Sequence, residues 1–290
     1  MRLIAFLDGD REGIGFVDSR GGYRDSAELQ FPNTIAALIA NCRNDLGDVR
    51  KVDVEGLPSL PETARIVAPL VPRRNIFCVG KNYRAHAKEF GRSGFDSAGD
   101  GDVPDAPIIF SKATTSVVGP DEPIPHANDP FDTLDYEGEL AVIIGREGRR
   151  INRASALQHV FGYTIINDLT SRGAQKTHKQ WLLAKGIDGF CPMGPSVVTA
   201  DEIADPADLR IVTTVNGQIR QDAMVADLIF DVPNLIATIS SYISLLPGDI
   251  IATGTPEGVG IGFTPPKFLQ PGDVVAVSIP PIGVLKNTVV

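Results

Sequence analysis

Three acidic residues alternate with other residues immediately before an apolar run. Asp135, Glu137 and Glu139 are followed by Leu-Ala-Val-Ile-Ile at residues 140–144. In a strand, alternate side chains project from the same face, so these carboxylates would lie about 6.6–6.8 Å apart along one face. Like charges that enter a core need protonation, basic partners or a cation. Oxygen ligands select hard ions, so Mg²⁺ or Mn²⁺, with Ca²⁺ as a further candidate, is favoured over zinc. The alternative is that the strand is an exposed edge whose acids are hydrated.

A second group of polar residues lies where a β-rich run ends. Asp168 follows the run of residues 161–167, and Arg172 and Gln175 come four and seven residues later. On a helix, these three side chains would share one face. An acid, a guanidinium and an amide together can bind a metal and orient a carboxylate, or they can form a surface salt bridge. This segment alone leaves both interpretations open.

A histidine and a glutamate three residues apart form the third group. His86 and Glu89 would share a face of one helical turn, where a carboxylate can orient an imidazole that acts as a general base on water. A surface position for both residues is the alternative. Residues 91–107 follow directly and contain four Gly and four Asp with few apolar side chains. Such a segment is typical of a mobile lid or of an inert surface insertion.

The elements that must position these groups divide the chain into two parts. Alternating apolar residues predict an N-terminal hairpin over residues 3–17, and helical spacing predicts a helix over residues 32–40. Four prolines between residues 55 and 72 are typical of a connection. We therefore expect a small N-terminal α+β domain at residues 1–72 and a catalytic domain at residues 73–290.

The sequence pattern of the second part is typical of a mainly β protein. Pro-Gly-Asp turns at residues 247–249 and 271–273 each lead into a short apolar run, which predicts two strands. Residues 233–246, directly before the first of these turns, carry an apolar stripe that includes Ile236 and Ile239. We expect a helix there, packed on the outside of a sheet. The predicted fold class is α+β, mainly β.

Composition excludes several classes of function. The 290 residues include 27 Lys and Arg against 36 Asp and Glu, which gives a formal net charge of −9 and a pI near 5.0. This acidic balance argues against nucleic-acid and anionic-membrane partners, because nothing would offset phosphate repulsion. No apolar run approaches the ~18 residues of a membrane span. The cysteines Cys42, Cys78 and Cys191 form no paired pattern, so we expect a cytoplasmic protein.

Seven separated segments, in order, resemble motifs of the fumarylacetoacetate hydrolase family over roughly residues 73–287. The segments are Gly-x-Asn-Tyr-x-x-His-x-x-Glu at 80–89, Phe-x-Lys at 110–112, Asp-Tyr-Glu-x-Glu-Leu at 135–140, Asn-Asp-x-Thr-x-Arg-x-x-Gln at 167–175, Lys-x-x-Asp-x-x-Cys-Pro-x-Gly-Pro at 185–195, Thr-Gly-Thr-Pro-x-Gly-Val-Gly at 253–260 and Ile-Gly-x-Leu-x-Asn at 282–287. The resemblance is to the lid-bearing branch that includes acylpyruvate hydrolases and 2-hydroxyhepta-2,4-diene-1,7-dioate isomerases.

The resemblance implies a mixed β-roll that assembles as a homodimer, with one divalent cation in each active site. Asp135 is expected to lie outside the ligand set. By motif position, the implied residues are the metal ligands Glu137, Glu139 and Asp168, the catalytic residues His86, Glu89 and Lys185, and the substrate contacts Tyr83, Arg172, Gln175 and Thr255.

The reaction that the resemblance favours is hydrolysis of a C–C bond in a 2,4-dioxo acid of the acylpyruvate type. His86 would deprotonate the water, the cation would stabilise the enolate leaving group, and Lys185 or Gln175 would stabilise the oxyanion. The alternative is an isomerase or decarboxylase of a 2-oxo or 2-hydroxy dicarboxylate of the hydroxyhepta-diene-dioate or oxaloacetate type, since the family performs these reactions with nearly the same site. A non-catalytic, metal-stabilised protein is a third interpretation, and the intact pair of His86 and Glu89 argues against it.

Overall fold

Short apolar runs punctuated by Gly, Pro and Asp fold into a strand-rich molecule, and the predicted mainly β α+β class is confirmed. The computed structural model describes residues 1–42, 45–95 and 103–290. Its strands are β1 (Arg2–Asp8), β2 (Arg11–Val17), β3 (Tyr23–Asp25), β4 (Arg65–Val67), β5 (Ile76–Gly80), β6 (Ile108–Lys112), β7 (Val117–Val118), β8 (Leu134–Asp135), β9 (Gly138–Ile144), β10 (Val160–Asn167), β11 (Thr170–Ser171), β12 (Cys191–Thr199), β13 (Arg210–Val215), β14 (Gln218–Met224), β15 (Ile250–Ala252), β16 (Val274–Ile279) and β17 (Gly283–Thr288). Its helices are α1 (Ile35–Cys42), α2 (Arg84–Arg92), α3 (Arg172–His178), α4 (Leu182–Lys185) and α5 (Val232–Tyr242).

A large sheet forms the centre of the molecule. Eleven strands belong to it, in the order β3-β2-β1-β12-β10-β9-β15-β5-β6, with β4 paired to β1 and β7 paired to β12. All pairs are antiparallel except β15 with β5 and β12 with β7. A second sheet of four strands, β14-β13-β16-β17, packs beside it, and β8 pairs with β11 separately.

The central strands β9 and β10 are buried along their whole length. Side chains of β9 alternate between two hydrophobic clusters: Leu140 and Val142 pack with α5 and the second sheet, whereas Ala141 and Ile143 face the N-terminal strands. A strand covered on both faces reads as a continuous apolar run, as residues 140–144 do. This rigid centre holds the residues described below.

Residues 1–72 extend the central sheet. Strand β1 pairs with β12, where Leu3 lies opposite Val197. Apolar residues of α1, including Leu38, share one buried cluster with Met193 of β12. The domain boundary near residue 72 stays a prediction.

The predicted local elements are present with shifted ends. The N-terminal hairpin is β1 and β2, and α1 begins at Ile35, where Thr34 Oγ1 accepts from the Ala37 amide at 3.1 Å. Helix α5 ends at Tyr242, four residues before the predicted end. Its continuation is prevented because Leu245 forms two backbone hydrogen bonds with Gly148, each 2.9 Å long. Neither this helix nor any other in the described part of the chain is long and apolar enough to cross a membrane.

Candidate active site

Three carboxylates from neighbouring strands converge in the interior. Glu139 lies in β9, Glu137 immediately precedes that strand, and Asp168 follows β10. The pairing of β9 with β10 brings them together, and the Asp168 amide donates to the Glu137 carbonyl at 2.8 Å. All three side chains are buried, and one oxygen from each lies within 4.8 Å of the other two.

Asp135 lies on a different strand, so the expectation of three acids on one continuous strand is wrong. Strand β8 ends at Asp135 and pairs with β11, and β9 begins only at Gly138. Side-chain acceptors take the backbone amides between them: the Glu137 amide donates to Asn167 Oδ1 and the Gly138 amide to Gln221 Oε1, each at 3.0 Å. These long-range side-chain bonds take amides that a regular ladder between β8 and β9 would use.

Three buried cations surround the carboxylates. Lys185 Nζ donates to Glu137 Oε2 at 2.6 Å and to Asp168 Oδ2 at 2.8 Å. Arg172 Nη2 lies 2.7 Å from Glu137 Oε1. Lys112 Nζ lies 2.7 Å from Asp168 Oδ1, at an angle that makes no hydrogen bond, and donates instead to the Leu169 carbonyl at 3.1 Å.

The cations compensate the acids unequally. Burial opposes the charged form of Glu137, but the charges of Lys185 and Arg172 outweigh it and lower the pKa of this carboxyl to about 2. Burial raises the pKa of Glu139 well above its usual value, and the charges of Asp168 and Glu137 raise it further. The positive charge of the cluster therefore compensates Glu139 less than it compensates Glu137.

This donor set fits a divalent cation. It consists of oxygen atoms alone, which suits a hard ion such as Mg²⁺ or Mn²⁺. Asp168 Oδ1 is buried without a hydrogen-bond partner, and the protonated form that burial favours at Glu139 would give way to a bound cation. Glu137, Glu139 and Asp168 are thus the residues that could hold the metal, whose identity the geometry leaves open.

His86 and Glu89 lie on one face of α2. His86 Nδ1 is 3.2 Å from Glu89 Oε2, and the imidazole side chain is 6% exposed. Glu89 Oε1 accepts from the Gly258 amide at 2.9 Å, which holds the carboxylate in place. With a proton on Nδ1 shared with Glu89, Nε2 carries the lone pair, as a general base requires.

Arg172 and Gln175 lie on α3, and Arg172 Nη1 donates to Gln175 Oε1 at 3.1 Å. The prediction that Asp168 shares a helical face with Arg172 and Gln175 is wrong, because α3 begins only at Arg172, after the short strand β11. Ser171 ends that strand and caps the helix, accepting from the Ala174 amide at 3.3 Å. Asp168 reaches the cluster through the β10 end instead.

One narrow cavity lies among these groups. Charged and polar side chains line one part of it, and aromatic side chains of α2, of β6 and of the residue before α4 line the other. The lining residues are Val79, Gly80, Lys81, His86, Phe90, Phe110, Glu137, Arg172, Gln175, Trp181, Lys185 and Thr255. A concave site on which several polar groups converge beside aromatic side chains is typical of an enzyme.

Two predicted substrate contacts have particular surroundings. Thr255 lines this cavity, but its hydroxyl donates to the Gly138 carbonyl at 3.1 Å and accepts from Gln221 Nε2 at 2.7 Å. Tyr83 lines a neighbouring cavity with Arg84, and its buried hydroxyl has no hydrogen-bond partner among the described residues.

Sequence reasoning assigned no role to several residues of the site. Lys112 lies beside Asp168, and Gln221 binds both Gly138 and Thr255. The Phe-x-Lys motif was a signal for Lys112. Nothing in the sequence around Gln221 indicates its position, because β14 reaches the site only through the packing of the second sheet.

The predicted lid at residues 91–107 falls partly outside the described residues. Residues 91–92 end α2, and residues 103–107 lead into β6. Residues 96–102 lie outside the part of the chain that the structure describes, so closure of a lid stays a prediction.

The chain is similar in sequence to known proteins. The family model described as "Fumarylacetoacetate (FAA) hydrolase C-terminal" matches residues 75–290. Among curated proteins, "Oxaloacetate tautomerase YisK" of Bacillus subtilis (strain 168) is 48% identical over 218 residues, which cover 75% of this chain and 70% of that protein.

Solved structures agree over the whole chain. A fumarylacetoacetate hydrolase from Exiguobacterium antarcticum is 42% identical, with a TM-score of 0.86 over 100% of this chain and 99% of that one. A 2-hydroxyhepta-2,4-diene-1,7-dioate isomerase from Mycobacterium marinum is 35% identical, with a TM-score of 0.73 over 100% of this chain and 98% of that one. The predicted β-roll is confirmed.

Proposed function

Because the chain belongs to the fumarylacetoacetate hydrolase family, we propose that it is an enzyme that isomerises a 2-oxo dicarboxylate of the oxaloacetate type. The reaction moves a proton between C3 and the 2-oxygen. Hydrolysis, which the motifs favoured, has less support. The relatives include a tautomerase of oxaloacetate, 48% identical, and an isomerase of a seven-carbon dioate.

Side chains of α3 and α4 bind and orient the substrate. Arg172 and Gln175 line the cavity, and a guanidinium beside an amide suits a carboxylate. A divalent cation held by Glu137, Glu139 and Asp168 would supply Lewis-acid stabilisation of the negative charge that develops on the 2-oxygen.

The proton transfer uses His86 and Lys185. In the direction from keto to enol, His86 Nε2 removes a proton from C3, the C–H electron pair forms the C2–C3 double bond, and the carbonyl pair moves to the oxygen. Lys185 then gives a proton to that oxygen, and it regains one from His86 or from water. Glu89 stabilises the imidazolium through Nδ1, 3.2 Å away.

The observation that carries the proposal is that His86, Arg172 and Lys185 line the cavity that also reaches Glu137 of the carboxylate cluster. The base, the carboxylate contact and the acid thus face one small volume, which is the arrangement that proton transfer next to a carbonyl requires.

The test is to follow enol oxaloacetate by its ultraviolet absorbance with purified protein and Mg²⁺. We expect faster equilibration of enol and keto forms with no loss of carbon. His86→Ala should lower the rate by about 10²–10⁴-fold while Mg²⁺ binding persists, and His178→Ala, which changes an exposed histidine, is the matched control.

The same samples separate the other reactions. Pyruvate measured with a coupled dehydrogenase would reveal a decarboxylase. Cleavage of acylpyruvates would support the hydrolase, which the full-length likeness to the Exiguobacterium antarcticum protein keeps as the second candidate. No rate increase with any of these acids would contradict an oxo-acid enzyme.

A further inference from the structure

We propose that Asp135 is a positioning residue that fixes the guanidinium of Arg172 for an anionic substrate. It makes no contact with the carboxylate cluster and does not line the cavity, so it acts on the substrate through Arg172. The inference rests on the proposed function in one respect, because it takes the molecule that Arg172 meets to be a carboxylate.

The carboxylate of Asp135 is completely buried, and four donors saturate it. Oδ1 accepts from the amides of Gly260 at 2.6 Å and Tyr136 at 2.9 Å. Oδ2 accepts from the amide of Ile261 at 3.1 Å and from Arg172 Nε at 2.9 Å. A carboxylate with four convergent donors has no lone pair left for a metal, so its role is to hold these groups.

Arg172 is oriented by a different partner on each side. Asp135 holds Nε, Gln175 Oε1 accepts from Nη1 at 3.1 Å, and Glu137 Oε1 lies 2.7 Å from Nη2. Without Asp135, the Nε side of the guanidinium would have no partner, and only the contacts at its two Nη atoms would set its orientation.

The same loop supports the histidine pair. Gly258 donates its amide to Glu89 Oε1 at 2.9 Å, and its carbonyl accepts from the Tyr136 hydroxyl at 2.8 Å. Residues 258–261 thus connect Glu89 to Asp135. Asp135 thereby fixes the position of Arg172 relative to His86. Arg172 and His86 are the two groups that must meet opposite ends of one small substrate.

Only a carboxylate fits this position. Asparagine presents one acceptor oxygen and one NH₂ group, so in either orientation its NH₂ would face two donors. Asp135→Asn therefore keeps the volume of the side chain and breaks its contact with Arg172 or with the loop. Asp18→Asn is a matched control. Asp18 is also buried and accepts from the amides of Arg20 and Gly22 and from Arg24 Nε, but it makes no contact with Arg172 among the described residues.

The experiment measures oxalate binding to the magnesium-loaded protein by calorimetry, which needs no turnover. We expect Asp135→Asn to weaken oxalate binding by about tenfold, the loss typical of a hydrogen bond to a charged group. Asp18→Asn should leave it unchanged. In an Arg172→Met background, Asp135→Asn should weaken binding by less than about twofold, because the residue through which it acts is gone.

Arg172→Lys provides a second variant that leaves the 258–261 loop intact if Asp135→Asn does not fold. Lysine keeps the charge but lacks the fork that Asp135 orients, so oxalate binding should weaken by about tenfold here too. Wild-type affinity in Arg172→Lys would overturn the proposal. So would an equal loss in Asp18→Asn, an equal effect of Asp135→Asn with and without Arg172, or the absence of oxalate binding to the wild type. Wild type that binds oxalate but isomerises no oxo acid overturns the proposed function and leaves this inference standing.

Discussion

At the scale of single residues, the buried acids of the site outnumber its buried cations. Four buried carboxylates, those of Asp135, Glu137, Glu139 and Asp168, face three buried cations. Burying an uncompensated charge is costly, so one carboxyl is left to take up a proton or a cation. Burial raises the pKa of Asp135, which its contact with Arg172 partly offsets, whereas burial and two neighbouring acids raise the pKa of Glu139 well above its usual value, so Glu139 is the carboxyl that would take up the proton or cation.

Glu139→Gln should weaken metal binding strongly without destabilising the metal-free protein. Burial and the neighbouring acids raise the pKa of Glu139 and so favour its neutral form, which Gln resembles in size. Metal affinity should fall at least about 100-fold, since even a change beside a ligand costs 10–100-fold. Calorimetry with Mg²⁺ or Mn²⁺ and thermal unfolding without metal check both parts. Glu147→Gln, at an exposed position, is the control, and unchanged affinity in Glu139→Gln would remove this residue from the ligand set.

The three thiols should differ in reactivity with an aromatic disulfide reagent under native conditions. Cys78 and Cys191 are buried, and burial raises the pKa of Cys191 to about 12. Burial also raises the pKa of the half-buried Cys42, followed by the charges of Asp45 and Asp48. Because the thiolate reacts, the rate at Cys42 should rise about tenfold per pH unit below its pKa.

We expect one thiol to react in the native protein and three after denaturation. Cys42→Ser should remove the native reaction. Rapid reaction of two or more thiols at neutral pH would show that the interior opens.

At the scale of elements, the site depends on a loop that presses against a helix. The 3-10 turn Gly260–Gly262 lies under α2, and a Cβ atom at Gly262 would be 1.8 Å from Glu89 Oε1. The obstructing atom is the end of a flexible side chain, so the backbone can stay in place while Glu89 moves. The geometry of the histidine pair therefore depends on a glycine 173 positions away from Glu89 in the chain.

Gly262→Ala should lower turnover while it leaves folding and metal binding nearly unchanged. The added methyl group displaces Glu89 from His86 and from the Gly258 amide, so we expect a loss of about tenfold or more in the isomerisation rate. The measurement is kcat with a parallel unfolding curve. Gly47→Ala, which meets only the Asp45 side chain at 3.2 Å, serves as control. Full activity in Gly262→Ala would mean that Glu89 does not orient the base.

At the scale of the whole molecule, the N-terminal residues cover one face of the central sheet. Leu3, Phe16 and Leu38 pack with apolar residues of β9, β10 and β12, and β1 pairs with the edge of β12. Their removal would expose an apolar face together with unpaired backbone groups, which is a combination that promotes aggregation.

A chain that starts at residue 73 should therefore fail to stay monodisperse, although the family model begins at residue 75. Size-exclusion chromatography and light scattering of this truncated chain, with the full chain as reference, provide the measurement. Adding back residues 1–72 as a separate chain should restore solubility if the contact is the cause. A stable, soluble and active truncated chain would support two independent domains.

Local pattern was sufficient for much of this protein. Apolar alternation and turn residues predicted the N-terminal hairpin, α1 and the strands after the two Pro-Gly-Asp turns, because these depend on contacts between residues close in the chain. The ordered motifs predicted the family, the roll and the three carboxylates that converge. Each of these signals lies within about a dozen consecutive residues.

Tertiary structure decided the rest, because long-range pairing brings together residues whose spacing in sequence has no meaning for their distance. The break between Asp135 and Gly138 depends on amide acceptors from Asn167 and Gln221, far along the chain. The end of α5 depends on Gly148. Compensation of the carboxylates by Lys112 and the support of Arg172 by Asp135 likewise appear only when the strands have paired. The sequence by itself thus determined which residues could do chemistry, and only the folded chain decided which of them neutralise, hold or face one another.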